Sequence, residues 1–126
     1  MSTLRVDTIT NRVGTGQPEI DGVAKAWVNF NGTGTVAIRA SFNVTSITDN
    51  GTGNYTVNFT NAMSDANYCV NVTSTNGGFT GYGIRLAALH STPSYTTSSV
   101  KVCHGYLSGS AMYAEDGTYM NISVFR

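Results

Sequence analysis

A chain of 126 residues is long enough to enclose one hydrophobic core, so we expect a single globular domain. Its seven basic and seven acidic residues cancel and form no run of either sign, which argues against a nucleic-acid partner. No stretch approaches the roughly 20 apolar residues of a membrane span, and the N-terminus lacks the apolar segment of a signal peptide. We therefore expect synthesis in a cytoplasm and no membrane insertion.

Hydroxyl and amide side chains dominate the composition. The 12 serines, 18 threonines and 12 asparagines make up a third of the chain, whereas only 11% of the residues are charged, against about 25% in typical soluble domains. Threonine, valine, tyrosine and phenylalanine suit the pleated surface of a sheet, and glycine and asparagine suit its turns. The composition therefore predicts an all-β fold.

Residues 1–23 are predicted to form an extended N-terminal arm. The apolar residues of this segment are interrupted by glycines and a proline, and they offer few core positions. Such a segment cannot bury itself, so we expect it to lie along another surface, for example a neighbouring copy of the chain. The residues expected to make this assembly contact are Leu4, Val6, Ile9 and Val13.

Two runs with period-two alternation follow the arm. In residues 24–30 the even-numbered positions are apolar and the odd ones polar, except for Trp27. We expect Trp27 to be covered by the arm or by a neighbouring subunit. Residues 31–34 contain an Asn-Gly turn, in which positive φ angles are expected. Residues 36–45 then predict one strand whose core face is Val36, Ile38, Ala40, Phe42 and Val44.

The rest of the chain predicts more strands and turns. A turn at 49–54 leads into a strand at 55–60, which would complete a three-stranded meander. Further strands are predicted at 68–72, 82–90, 100–106 and 119–125; the segment 82–90 is also compatible with a short helix, which Leu86-Ala87-Ala88-Leu89 favours slightly, and its context favours a strand. The predicted connections are a single helical turn at 63–65 and polar loops at 91–99 and 107–117. We interpret residues 24–126 as one antiparallel β-sandwich domain, jelly-roll-like in character.

The chemistry-bearing residues do not predict an enzyme, a metal site or a cofactor. No Gly-x-Ser-x-Gly motif is present, and for a serine or cysteine nucleophile with a histidine held by a carboxylate the sequence offers only His90, His104 and seven scattered acids. Cys103 and His104 are consecutive in a predicted strand, so they point to opposite faces, with Lys101 on the cysteine side. Without a secretion signal, Cys69 and Cys103 are predicted to be buried thiols rather than a disulfide.

Several segments resemble the tail fibre proteins of tailed bacteriophages. Residues 2–9 (STLRVDTI) and 14–18 (GTGQP) look like the N-terminal segment of many such proteins. Residues 26–35 (AWVNFNGTGT) and 46–59 (SITDNGTGNYTVNF) are similar to a module that recurs near the ends of tail fibres. Together these segments cover about residues 2–70 and include no catalytic residue.

The resemblance implies a homotrimer on the virion, a short fibre or fibre tip in the tail. One end would attach to other tail or baseplate proteins, which we expect the N-terminal arm to contact. The other end would expose loops to a host cell-surface glycan or protein. Residues 71–126 carry no such resemblance, and we place receptor specificity there.

Aromatic and acidic residues in the C-terminal half are the predicted receptor-binding residues. Sugar rings pack on tyrosine and tryptophan, and loops carry function more often than strands do. The residues in or beside the two long loops are Tyr95, Tyr106, Tyr113, Glu115 and Asp116, and further candidates are Tyr82, Arg85 and His90. The alternative is that most tyrosines are half-buried in the sheet or the trimer seam with hydrogen-bonded hydroxyls.

Three functions remain open from the sequence. The first is a trimeric tail-fibre domain that binds a host saccharide or protein through the loops of residues 91–117, with avidity from repeated sites. The second is a structural decoration, cement or adaptor protein of the virion that binds no receptor. The third is a depolymerase, for which paired carboxylates are needed. Only Glu115 and Asp116 are close in sequence, and neighbours on a strand diverge.

Overall fold

The computed structural model describes residues 2–3, 22–75, 84–90 and 94–126. Within these ranges the chain is all-β, and it has no helix that is long and apolar enough to cross a membrane. The predicted arm residues Leu4, Val6, Ile9 and Val13 lie outside the described residues. The strands are β1 (Ala24–Asn31), β2 (Ala37–Phe42), β3 (Val44–Asp49), β4 (Asn54–Phe59), β5 (Cys69–Thr75), β6 (Ile84–Leu89), β7 (Ser99–Ser108), β8 (Ala111–Ala114) and β9 (Tyr119–Phe125).

The strands form two antiparallel sheets. Sheet A has the order β2-β1-β9-β5, and sheet B has the order β3-β4-β7-β6. β8 pairs with the second half of β7, on the side where β4 pairs with the first half. The predicted antiparallel all-β class is therefore confirmed, and the two sheets are consistent with a β-sandwich.

The core lies between the sheets and consists of alternate residues from the central strands. Phe30 of sheet A packs edge-to-face on Tyr55 of sheet B, with ring centroids 5.2 Å apart. Burial of such large side chains is the main source of stability in a sandwich of this size. The buried apolar residues are Ala26, Val28, Phe30, Val44, Tyr55, Val57, Phe59, Met63, Tyr68, Val100, Val102, Met120, Ile122 and Val124.

Two core tyrosines match the expectation of buried rings with hydrogen-bonded hydroxyls. Tyr68 packs on Phe59, with ring centroids 5.9 Å apart, and its hydroxyl lies 2.9 Å from the carbonyl oxygens of Thr96 and Ser99. Burial raises the pKa of Tyr68 to about 12. Tyr55 is fully buried, and burial together with its hydrogen bond to Asp116 raises its pKa well above the usual range.

The chain changes sheets at Asn43, so the prediction of one strand over residues 36–45 is wrong. β2 ends just before Asn43 in sheet A, and β3 begins just after it in sheet B. The φ angle of Asn43 is 54°, in the left-handed region that asparagine tolerates better than most residues. Its side chain donates to the carbonyl oxygen of Asn61 at 3.1 Å and accepts from the Asn61 N–H at 2.7 Å. The predicted three-stranded meander is therefore also wrong.

The predicted core face of β2 is wrong as well. Ile38 is 37% exposed, and Ala40 is also exposed. β2 is an edge strand, and its register with β1 shifts at a bulge between Asn29 and Phe30. Period-two alternation shows which residues share a face, but a second layer must cover that face to bury it. Val36 packs against the core and Val44 belongs to it.

Three turn predictions also need correction. The turn at 31–34 has its positive φ at Gly34, not at Gly32; a Cβ on Gly32 would lie 2.7 Å from Cζ of Tyr55. The predicted helical turn at 63–65 is a set of bends. The predicted loop at 107–117 contains the end of β7, a turn and the whole of β8. Gly109, with φ 62°, makes this tight hairpin possible.

Substitution of Asn43 should separate the backbone strain from the hydrogen bonds at the sheet crossing. We expect Asn43→Ala to lower the free energy of unfolding by about 2 kcal/mol, because it loses the contacts with Asn61 and retains the unfavourable φ. Asn43→Gly should cost about 1 kcal/mol less, because glycine adopts that φ without strain. Chemical denaturation of the two variants measures the difference. Equal stabilities would show that the φ angle contributes nothing.

Candidate functional site

Four of the predicted receptor-binding residues converge near one end of sheet B. In the register of β6, β7 and β8, Arg85 lies opposite Tyr106, and Tyr106 lies opposite Tyr113. Cross-strand partners project from the same face of a sheet, so these three side chains form a row. Glu115 follows β8 directly and contacts Arg85. We call Arg85, Tyr106, Tyr113 and Glu115 the tyrosine cluster.

The side chains of the tyrosine cluster contact one another directly. The rings of Tyr106 and Tyr113 are stacked, with centroids 5.3 Å apart and an interplanar angle of 20°. The guanidinium carbon of Arg85 lies 5.3 Å from the Tyr106 centroid, within range of a cation–π interaction. Nε of Arg85 lies 2.9 Å from Oε2 of Glu115, and this ion pair does not have the alignment of a hydrogen bond.

The tyrosine cluster lies next to the core and is also partly exposed to solvent. Its row lies on the same face of β7 as the core residues Val100 and Val102, further along the strand. The Tyr113 side chain is nevertheless 49% exposed. An aromatic surface that is held by neighbouring rings and a guanidinium can bind a sugar ring or an apolar side chain without first losing rotamer freedom.

Asp116 lies beside the cluster but has an internal role. Its Oδ1 accepts a hydrogen bond from the N–H of Gly53 at 2.7 Å and another from the hydroxyl of Tyr55 at 2.8 Å. The next residue, Gly117, accepts a hydrogen bond from the N–H of Gly32 at 2.9 Å. The connection between β8 and β9 is thereby tied to the two turns beside it, and this fixes the position of Glu115.

His104 is also a structural residue. It is 3% exposed, and its Nδ1 lies 2.7 Å from the carbonyl oxygen of Glu115. Because a carbonyl oxygen can only accept, Nδ1 carries the proton and donates it. The backbone N–H of His104 donates to the carbonyl of Gly53 at 2.8 Å. The prediction that Lys101 and Cys103 share one face and His104 the other is confirmed by the burial pattern of β7.

The other predicted residues do not join the cluster. Tyr95 forms a bridge with Val100 near the start of β7 and packs on Tyr68, with ring centroids 5.1 Å apart. His90 follows β6, and its N–H donates to the carbonyl of Lys101 at 3.2 Å. Tyr82 lies outside the described residues.

A groove on the outer face of sheet B was not predicted from the sequence. Its volume is about 400 Å³, and Leu86, Ala88, Cys103, Gly105 and Met112 are among its lining residues. Met112 is 62% exposed, and burial raises the pKa of the Cys103 thiol. In the sequence, this groove is indicated only by the apolar run Leu86-Ala87-Ala88-Leu89 and by Gly105. Neither feature predicts the register of β6 and β7 that brings them together.

Cys69 and Trp27 occupy the outer face of the other sheet. Cys69 is exposed, so the prediction that both thiols are buried is wrong; Cys69 and Cys103 are both free. Cys69 belongs to β5, whose odd-numbered residues point away from the core. Trp27 is 40% exposed. Its coverage by the arm or by a neighbouring subunit stays a prediction.

Comparison of the chain with protein-family models, with curated proteins and with solved structures finds no match. The described residues contain no group of three or more histidines, cysteines, aspartates or glutamates placed to hold a metal ion.

Two glycines of one turn allow a matched test of how the cluster is supported. A Cβ on Gly53 would lie 2.7 Å from the carbonyl oxygen of Glu115, whereas a Cβ on Gly51 would meet nothing within 4 Å. Both residues have positive φ, 66° and 111°. We expect Gly53→Ala to lower the free energy of unfolding by about 3 kcal/mol and Gly51→Ala by about 1 kcal/mol. Equal losses in urea denaturation would contradict the tight packing of this junction.

Proposed function

We propose that the chain is a structural and binding component of a bacteriophage tail, a short trimeric fibre or fibre tip whose tyrosine cluster contacts a receptor on the host surface. The resemblance of residues 2–70 to tail fibre proteins supports the tail assignment, and the all-β fold is compatible with it. The observation that carries the binding role is the convergence of Arg85 on β6 with Tyr106, Tyr113 and Glu115 of the hairpin of β7 and β8.

The tyrosine cluster has the physical properties of a recognition surface. Tyrosine and arginine are the residues that most often dominate binding energies at protein surfaces. Glu115 neutralises the charge of Arg85, so the cluster offers stacking and hydrogen bonding more than net charge. This chemistry suits a glycan or a peptide segment of a host-surface protein. In a trimer the site would occur three times, which raises avidity without a tight single contact.

No catalytic step is part of this proposal. The two neighbouring acids, Glu115 and Asp116, are engaged with different partners. Glu115 contacts Arg85, and Asp116 accepts hydrogen bonds from Tyr55 and Gly53. A glycoside hydrolase needs two carboxyl groups that flank one bond. The described geometry supports binding in preference to cleavage.

A structural decoration, cement or adaptor protein of the virion is the second candidate. The apolar groove on the outer face of sheet B favours it, because Leu86 and Met112 are exposed there. Contiguous exposed apolar surface is typical of a contact with another protein. In this case the groove, with the arm, would bind other tail or baseplate proteins.

The trimeric state is tested by the mass of the purified chain in solution. We expect light scattering to give about three times 13.3 kDa. Deletion of residues 1–23 should abolish the trimer if the arm makes the assembly contact. A stable monomer of the full chain would contradict the trimeric fibre and favour the decoration protein.

Receptor binding is tested with two neighbouring residues of β8 that point to opposite faces. Tyr113→Ala removes the exposed ring of the tyrosine cluster, which also borders the outer groove, and Met112→Ala removes a side chain of the outer groove alone. We expect Tyr113→Ala to weaken the binding of fluorescently labelled protein to host cells by at least about tenfold, the usual loss at a dominant contact. Met112→Ala should bind like the unmodified chain.

The opposite pattern would favour the decoration protein. In that case Tyr113→Ala would leave adsorption to host cells unchanged. Met112→Ala would instead reduce the incorporation of the protein into virions, measured by the protein content of purified particles.

A further inference from the structure

The outer face of sheet A presents two rows of side chains across three strands. In the first row Trp27 of β1 lies opposite Ser123 of β9, which lies opposite Asn71 of β5. The second row, two residues further along, consists of Asn29, Asn121 and Thr73. These six residues line a shallow groove of about 300 Å³, which we call the Trp27 groove.

The chemistry of the Trp27 groove is uncharged and mixed. One wall is an indole ring that is 40% exposed. The other side chains of the two rows are amides and hydroxyls, which can both donate and accept hydrogen bonds. The side-chain amide of Asn29 donates to Oδ1 of Asn121, so these two side chains orient each other across the strands. The described groove therefore combines a flat apolar surface with a fixed set of polar atoms.

These properties match a neutral sugar ring better than other classes of ligand. A pyranose has an apolar face of C–H groups, which stacks on an aromatic ring, and hydroxyls at its edge that exchange hydrogen bonds with amides. An anion or a basic peptide would require opposite charge, and none of the described lining residues carries one. A volume of 300 Å³ is at the lower end of the range of small-ligand pockets, about 300–1,000 Å³.

The arm of residues 1–23 fits this groove less well. Its predicted contact residues are aliphatic, and an aliphatic side chain on this surface would take water away from the amide of Asn71 and from the amide N–H groups of Asn121 without offering them a hydrogen bond. The groove on the outer face of sheet B, with Leu86 and Met112, offers the apolar surface that such side chains require.

We propose that the Trp27 groove is a binding site for a neutral saccharide, separate from the tyrosine cluster on sheet B. The indole of Trp27 stacks on the C–H face of one sugar ring, and the side chains of Asn29, Asn121 and Thr73 bind its hydroxyls. This site follows from the geometry of sheet A and does not require the chain to be a tail protein.

The test uses the fact that Trp27 is the only tryptophan of the chain. Its fluorescence therefore reports on this groove alone. The full chain is titrated with neutral oligosaccharides of glucose, galactose, mannose, rhamnose and N-acetylglucosamine. We expect at least one of them to shift the emission in a saturable manner and to protect the indole from quenching by acrylamide. If none of the five changes the emission, the proposal is wrong.

Variants show whether the bound sugar uses the proposed side chains. Asn121→Ala and Thr73→Val each remove a polar group from the groove, and we expect at least about a fivefold loss of affinity from each. Thermal unfolding of each variant checks that the sheet is intact. Tyr113→Ala, on the other sheet, should leave the titration unchanged, so this site and the proposed receptor site can fail independently. Unchanged affinity in both groove variants would overturn the proposal.

Deletion of the arm tests whether the arm, rather than a sugar, occupies the Trp27 groove. If the arm covered Trp27, deletion of residues 1–23 would increase the quenching of its fluorescence by acrylamide. We expect equal quenching of the full and shortened chains in the absence of sugar. Increased quenching after the deletion would assign the groove to the arm, or to a neighbouring subunit that the arm holds in place, and would overturn the proposal.

Discussion

The carboxylate of Asp116 joins parts of the chain that the sheets alone do not hold together. It accepts hydrogen bonds from the hydroxyl of Tyr55 in the core and from the N–H of Gly53 in the turn before β4. Without it the Gly53 N–H would lose its acceptor, which costs more than a hydrogen bond contributes when it is formed, and the Tyr55 hydroxyl would keep only the carbonyl oxygen of Gly32, at 3.1 Å. Glu115 precedes Asp116 directly, so the same contact fixes the carboxylate that pairs with Arg85. The packing of the core and the shape of the tyrosine cluster thus depend on one side chain.

The fold could be predicted from the sequence for those strands whose apolar face is covered by the opposite sheet. In β4 and β9 the alternation of polar and apolar residues matches the observed burial, as Val57 and Ile122 show. In β2 the same alternation failed, and Ile38 is exposed because the strand lies at an edge. The change of sheet at Asn43 depends on hydrogen bonds with Asn61, which are tertiary contacts that no local pattern reveals.

The candidate site could be predicted only as a set of residue types. The sequence predicts one loop and one role for Tyr113, Glu115 and Asp116, but the structure gives each residue a different role. Tyr113 belongs to a strand and is half exposed, Glu115 pairs with Arg85, and Asp116 accepts internal hydrogen bonds. Adjacent residues of an extended chain point in different directions. The meeting of Arg85 with Tyr106 depends on the register of β6 and β7, which the sequence alone does not determine.

Because Glu115 neutralises Arg85, the ion pair of the tyrosine cluster has no net charge. A surface without a free charge exerts little long-range attraction on a partner, so encounters occur at the unassisted rate of about 10⁵–10⁶ M⁻¹s⁻¹ rather than being guided. Stacking and hydrogen bonding act only at contact, and dissolved ions do not screen them as they screen separated charges. Binding at such a surface would therefore depend little on ionic strength, and its selectivity would depend on how long a partner stays rather than on how fast it arrives.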